Sequence, residues 1–282
     1  MKKNILVLGS SGQIGHHLCW YLKKKKHKVL KFDILDGKKY DLRTHNNPNL
    51  VNYLKKSNYV FFLAFDVGGS KYLKKYQNSS KFILNNLNIM MNTFQLLAKY
   101  KKPFLFASSQ MSNMSYSNYG ILKLIGEKIS CDLDGNSVKF WNVYGIEKNL
   151  QKSHVITDFV LMALKNKKIK MLTKGEESRE FLHADDCSRG LGIIMKNHKK
   201  FKLQKKELHL TTGKQIKILD IAKLVKKIAN KDNLKIIRGK KIDDVQLNKN
   251  NNSNRYLRKF WKPIISIEEG IEKIYNYYKV KK

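Results

Sequence analysis

Gly9, Gly12 and Gly15 follow directly on the apolar run Asn4-Ile-Leu-Val-Leu8 and open an amphipathic segment from His16 to Lys26. Few local patterns constrain a fold so tightly. A buried strand, a glycine-rich turn and a helix form the context that a dinucleotide-binding fingerprint requires. The glycines permit a tight turn and a close approach of backbone to a pyrophosphate. The start of the helix offers free N–H groups and partial positive charge. Gln13 and Ile14 lie inside the turn and are candidate cofactor contacts with the three glycines. The next strand-like stretch, Lys28-Val-Leu-Lys-Phe-Asp33, ends in an acid about 20 residues beyond Gly15. A carboxylate there suits the ribose hydroxyls and favours NAD over NADP.

The pattern continues as an alternation. Strands are expected near 4–8, 28–33, 59–64, 104–109 and 137–143, with helices near 13–26, 47–56, 80–100 and 116–130. Such alternation predicts an α/β chain with a Rossmann-type, doubly wound parallel sheet. Ligands of these sheets sit beyond the carboxyl ends of the strands. Gly9, Asp33, Ala64, Ser109 and Asn142 all fall at expected strand ends and should share one cleft. Beyond about 146 the pattern loosens. The expected division is an NAD-binding domain over 1–146 with a return segment near 179–200. A smaller α+β substrate-binding lobe would take 147–178 and 201–282.

Tyr119 and Lys123 are spaced to share one face of a helix. A phenol with a pKa near ~10 is a poor base at neutral pH. An ammonium beside it favours the phenolate, and the pair can then move a proton to or from a hydroxyl. In a lysine-rich chain the spacing alone decides little. Its position after the glycine turn gives it meaning.

Together these motifs resemble the extended short-chain dehydrogenase/reductase family, the nucleotide-sugar epimerases and dehydratases. Asp41-Leu-Arg43 is similar to the family's turn beside the adenine, which implies cofactor contacts for Asp41 and Leu42. Tyr59-Val-Phe-Phe-Leu63-Ala64 resembles a strand whose end contacts the cofactor, with Phe62 where His is usual. Asn85-Asn86, Asn142-Val-Tyr-Gly145, Arg179-Glu-Phe-Leu-His-Ala-Asp185-Asp186 and Trp261-Lys-Pro263 through Gly270 resemble further family segments, in the family's order. The resemblance implies NAD as cofactor and a nucleotide-diphosphate sugar as substrate. It implies Tyr119 as acid/base, Lys123 lowering its pKa and binding the nicotinamide ribose, and Ser109 holding the substrate hydroxyl with Ser108 as the alternative. Asn142 and Arg179 would bind the nucleotide diphosphate, Arg179 through charge-assisted contacts. The expected reaction is epimerisation through transient hydride abstraction at C4. A homodimer built on the helices near 80–100 and 116–130 is the family's habit.

Departures narrow the choice. Gln110-Met111 stands where 4,6-dehydratases carry an acidic pair, and Met cannot move protons. Gln110 is left as a substrate-side residue in the place where GDP-fucose synthases and 3,5-epimerases carry a Cys. Asp66-Val-Gly68-Gly69 and Ser153-His154-Val-Ile resemble segments of those enzymes, and His154 is the candidate second acid/base. Ten residues separate Ser109 from Tyr119, fewer than is usual in the family. Lys241 and Asp244 lie near a late phosphate- and base-binding segment of the family.

Bulk properties bound the remaining options. A chain of 282 residues can bury a substantial core. No apolar stretch approaches the ~18 residues of a membrane span. Cys19, Cys131 and Cys187 are unclustered, as expected of thiols in a reducing, cytoplasmic setting, and no metal site is expected. The net charge of +35 raises a polyanionic partner as an alternative. Only six of the basic residues are Arg, the side chain preferred for bidentate phosphate contacts, and the lysines are scattered. A compositional bias toward Lys explains that better than a nucleic-acid surface.

Overall fold

The structure is a computed structural model and describes residues 2–165, 168–231, 233–243, 245–246 and 252–281. Asp244 lies outside the described residues. The strands are β1 Asn4–Leu8, β2 Lys28–Phe32, β3 Tyr59–Phe62, β4 Phe104–Ser109, β5 Gly135–Phe140, β6 Asn142–Tyr144, β7 Lys168–Lys170, β8 Ser178–His183, β9 Leu208–Leu210, β10 Gln215–Lys217 and β11 Lys235–Ile237. The helices are α1 Gln13–Lys24, α2 Pro48–Lys56, α3 Ser70–Tyr76, α4 Ser80–Lys99, α5 Asn118–Asp132, α6 Val155–Lys165, α7 Ala184–Lys196, α8 His198–Gln204, α9 Ile218–Ala229 and α10 Ile267–Val280.

Six strands form one sheet in the order β2-β1-β3-β4-β5-β9, and every pairing in it is parallel. Strands β3 and β4 are buried at every position, as expected when helices cover both faces. Leu18 and Leu22 of α1 with Leu191 and Ile194 of α7 pack one face against Ile5, Val7 and Phe61. Leu50 and Leu54 of α2 with Met90 and Phe94 of α4 pack the other face against Leu6, Leu8 and Phe62. A third core joins α6, α9 and α10 through Phe159, Val160, Ile221, Val225 and Ile274. This is the smaller lobe, edged by the parallel pair β7 and β11.

Local sequence sets the helix starts. Asn47 accepts from the backbone N–H of Asn49 and Leu50, with Pro48 at the first helical position of α2. Ser79, Ser117 and Ser266 cap α4, α5 and α10 in the same way. Among the described residues no helix is long and apolar enough to cross a membrane.

Two expectations need correction, and one element is additional. The strand expected over 137–143 is two strands. The large sheet ends at Phe140, and Asn142–Tyr144 turns away to pair with β8 in a separate sheet ordered β10-β8-β6. Leu208–Leu210, placed by sequence in the smaller lobe, is the outer strand of the large sheet beside β5. Its three residues are too few to show a period. Helix α3 was not expected, because it buries only Leu73 and has no apolar stripe.

Candidate functional site

The sheet order reverses between β1 and β3, and the glycine turn sits at this switch point. Gly9 has φ +83°, and a Cβ there would lie 2.7 Å from the Ala64 nitrogen. Leu63 and Ala64 therefore press directly on the turn, and the Leu63 N–H donates to the Leu8 carbonyl at 3.0 Å. A Cβ on Gly15 would lie 2.0 Å from the Gly9 oxygen. Gly12 differs, since a Cβ there would make only an ordinary 3.4 Å contact with the chain. Glycine at 12 thus leaves open a space that the protein does not fill, at the N-terminus of α1. Asp33 follows β2 and accepts from Ser11 N–H at 2.8 Å and Leu35 N–H at 3.0 Å, tying the second strand to the turn.

Around this turn runs a cleft of about 710 Å³. Its wall includes Gly9, Gly12, Gln13, Ile14, Gly15, Asp33, Asp41, Leu42, Leu63 and Ala64, the whole expected cofactor set from the chain's first half. Tyr119 and Lys123 line it too. The Gln13 side-chain nitrogen and the Asn142 side-chain nitrogen are buried with no partner in the described structure. Two orphaned donors and the space at Gly12 suit a ligand rich in oxygen acceptors. The cleft therefore fits NAD, whose pyrophosphate would lie over Gly12 at the start of α1 and whose ribose would face Asp33. Asp41 is held by Arg43 through paired contacts of 2.7–3.1 Å, which keeps its carboxyl below the usual range.

The catalytic hydroxyls meet despite the short connection. A single turn over Gln110–Asn113 bridges β4 and α5. A Cβ on Gly120 would lie 2.1 Å from the Met111 oxygen, so glycine there lets α5 start hard against this turn. Tyr119 comes within hydrogen-bond reach of Ser109, whose oxygen also accepts from Met111 N–H at 3.1 Å.

Lys123 does not do in the chain alone what the spacing suggested. Its ammonium donates to the Ala107 carbonyl at 2.7 Å and lies 3.6 Å from the Phe65 ring centroid, but 5.7 Å from that of Tyr119. Burial pulls Lys123 down to about 7, with Glu127 opposing. Burial pushes Tyr119 up to about 12, and the Ser109 hydrogen bond offsets only part of that. The expected lowering of the phenol is absent from the protein alone.

Other expected site residues are engaged elsewhere. Ser108 lines the cleft as well, with its hydroxyl donating to Glu127. Gln110 is buried and donates to Gln246 at 3.1 Å, behind the cleft wall rather than on it. Arg179 lines the cleft, but its guanidinium donates to Asp243 and to the Ser178 carbonyl at 2.7 Å. His154 lines the cleft with its ring hydrogen-bonded to Glu147 at 2.7 Å.

Sequence reasoning missed the groups that cross the cleft. Asp66 accepts from Lys152 at 2.7 Å, from Tyr72 at 2.6 Å and from Asn85 at 3.1 Å. Burial raises its carboxyl, these donors outweigh that, and the net shift is downward. Lys71 pairs with Asp158 at 2.5 Å, and Gly69 N–H donates to the Lys152 carbonyl at 3.1 Å. The segment after β3 is thus strapped to the segment before α6 and to α6 itself. Glycines 68 and 69 were the visible signal, since a Cβ on Gly69 would lie 2.4 Å from the Ser153 oxygen.

The chain is similar to known proteins in sequence and fold. Residues 5–206 match the model of the NAD dependent epimerase/dehydratase family. UDP-glucuronic acid decarboxylase 1 of Xenopus tropicalis is 22% identical over 314 residues, covering 99% of this chain and 72% of the relative. GDP-L-fucose synthase of Sinorhizobium fredii is 23% identical over 309 residues, covering 98% and 95%. Among solved structures, UDP-glucose 4-epimerase of Thermotoga maritima superposes with a TM-score of 0.81 at 20% identity, covering 99% of each chain. An epimerase of Methanothermobacter thermautotrophicus gives 0.84 at 18%, covering 99% and 93%.

Proposed function

The chain belongs to the NAD-dependent epimerase/dehydratase family, its cofactor is NAD, and from that premise we propose that it is an epimerase of nucleotide-diphosphate sugars. The observation that carries the reading is the meeting of Ser109, Tyr119 and Lys123 in the cleft that holds the glycine turn. When bound, NAD would supply the hydride acceptor and a positive charge that favours the Tyr119 phenolate. Tyr119 then takes the proton of the sugar C4 hydroxyl, while Ser109 holds the oxygen. Lys123 anchors the nicotinamide ribose. The keto sugar turns over, and Tyr119 returns the proton when the carbonyl is reduced on its opposite face. Asn142 offers its unpartnered nitrogen to the diphosphate. Arg179 takes up phosphate by exchanging it for Asp243. Met111 lies beside the hydroxyls in place of an acid, which argues against loss of water.

A second reading is favoured by one pair. His154 and Glu147 form a cleft-side acid/base pair suited to proton exchange at the carbon beside a C4 ketone. Incubation with NAD⁺ and a panel of UDP-, GDP-, CDP- and dTDP-sugars in D₂O separates the two by NMR. Inversion at C4 without deuterium supports the first; deuterium at C3 or C5 supports the second. No turnover on any sugar, with NAD bound, would sink both.

The same proposal includes a homodimer. Leu84 and Met91 on α4 and Ile121, Leu124 and Ile125 on α5 are exposed on neighbouring helices. A second copy would cover that face. Leu124→Lys should convert the particle to a monomer in light scattering; an unchanged dimer would place the interface elsewhere. Cytoplasmic residence accords with the buried thiols of Cys19 and Cys187.

A further inference from the structure

We propose that Glu147 is the positioning residue of His154, fixing the imidazole through Nδ1 and leaving Nε2 as the nitrogen that exchanges a proton with the sugar. Glu147 Oε1 meets His154 Nδ1 at 2.7 Å, and its Oε2 accepts from the His154 backbone N–H at 3.0 Å. An ionised carboxylate is acceptor-only, so Nδ1 is the donor in this contact. The Thr157 hydroxyl, one turn along α6, also reaches the carboxylate. The backbone of Glu147 is itself clamped by Tyr278 of α10. The Tyr278 hydroxyl donates to the Glu147 carbonyl at 2.7 Å and accepts from its N–H at 2.9 Å. The carboxylate is buried, whereas the His154 side chain keeps 39% of its surface and lines the cleft.

The charges around the ring leave Glu147 as its partner. Asp158, on the same helix as the ring, is taken up by Lys71 at 2.5 Å and by the Ser153 hydroxyl at 2.5 Å. Lys152 is taken up by Asp66. Lys71 and Lys152 thereby complete pairs of their own, and Tyr278 is spent on the Glu147 backbone. A buried carboxylate is costly unless a cation neutralises it, and the protonated imidazole is the cation in contact. Burial opposes charge on the ring, but the Glu147 contact outweighs it and His154 is raised above its ordinary value. The Glu147 contact therefore favours the protonated ring, the form of an acid. The proton it gives to a substrate atom is replaced from solvent, which reaches the half-exposed ring. That this proton goes to a sugar rests on the second reading above; the contact between Glu147 and His154 does not.

The test separates positioning from helix capping, which Glu147 also performs through the His154 N–H. Glu147→Gln keeps an acceptor for that N–H and removes the charge. In wild type and variant, both loaded with NAD⁺, the His154 ring is titrated by NMR. His154→Asn assigns the signal. We expect the ring pKa in Glu147→Gln to fall by about one unit or more, with NADH affinity unchanged. On any sugar that turns over, the alkaline limb of kcat should move down by the same amount. An unchanged His154 titration overturns the proposal, as does a kinetic limb that stays in place while the ring pKa moves. A shifted titration with no turnover on any sugar supports the positioning role and counts against the substrate reading alone. Should Glu147→Gln not fold, Glu147→Asp keeps the charge and shortens the reach, and the same titration decides.

Discussion

The ammonium of Lys123 donates to the Ala107 carbonyl at 2.7 Å in a setting that leaves the lysine 3% exposed. The larger partner in its environment is aromatic, with Phe65 and Phe106 at 3.6 and 5.0 Å. Such a site discourages charge, and the lysine falls from 10.5 to about 7. The folded chain therefore binds this proton less readily than the unfolded chain. The lysine carries no penalty above the unfolded pKa. A penalty grows as pH falls from 10.5 toward 7 and is constant below that. Its slope approaches about 1.4 kcal/mol per pH unit for a full proton. Lys123→Met should be inactive, yet more stable than wild type at pH 7, with the difference shrinking toward pH 10. Urea unfolding at several pH values checks this; a pH-independent difference would mean that the buried charge is not the cause.

The glycine turn makes a sharper prediction than loss of function alone. Gly15→Ala places a methyl into the Gly9 carbonyl, a backbone clash that cannot relax by a side-chain rotation. It should cost roughly 1–3 kcal/mol of stability and abolish NADH binding. Gly12→Ala meets nothing closer than 3.4 Å in the chain. It should fold with an unchanged melting temperature and still lose NADH affinity at least tenfold, because the methyl would occupy the pyrophosphate's place. NADH fluorescence titration with thermal melts of both variants tests the pair. Normal NADH affinity in Gly12→Ala would show that the pyrophosphate lies elsewhere.

What the sequence revealed and what it hid follow one physical division. Gly9, Gly12, Gly15 and Asp33 are set by geometry within a strand-turn-helix unit and its neighbour, so spacing exposes them. Tyr119 and Lys123 share a helix face, and i, i+4 spacing exposes that too. Lys123's state is different, because it depends on Phe65, after β3, and Phe106 of β4, two aromatic rings that no local pattern places beside it. Arg179 reads as a free phosphate ligand in sequence, but Asp243, distant along the chain, accepts from its guanidinium. Lys152 with Asp66 and Asn85 with Arg43 are pairings between distant segments. Trp141 gives no sign that the strand containing it breaks there and changes sheet. Local geometry carried over; the nonlocal electrostatics of the cleft did not.

The Lys152–Asp66 pair crosses the cleft, and its side chains are partly exposed. Each such pair is worth at most about 1 kcal/mol and weakens as salt screens it. With Lys71–Asp158 it straps the segment after β3 over the cleft that accommodates the cofactor. NADH release measured by stopped-flow fluorescence should therefore quicken as ionic strength rises. Lys152→Met should release NADH about fivefold faster at low salt, the rate equivalent of ~1 kcal/mol. It should also respond less to added salt. Identical release rates and salt dependence in the two proteins would rule out the strap as a barrier to exit.

Gly120 converts a short connection into a working geometry. The turn over Gln110–Asn113 sits so close to α5 that a Cβ on Gly120 would meet both the Met111 oxygen at 2.1 Å and the Met114 oxygen at 3.0 Å. Neither backbone oxygen can yield without moving the turn or the first turn of α5. Ser109 lies at one end of that turn and Tyr119 directly precedes the glycine. Gly120→Ala should therefore separate the two hydroxyls while leaving the cofactor turn intact. We expect NADH affinity within about twofold of wild type and a kcat lower by at least 10²-fold, in the range of a mispositioned acid/base group. A Tyr119→Phe variant sets the floor for that loss. If Gly120→Ala keeps full kcat while folded, the approach of α5 to the Met111 carbonyl is not what aligns Tyr119 with Ser109.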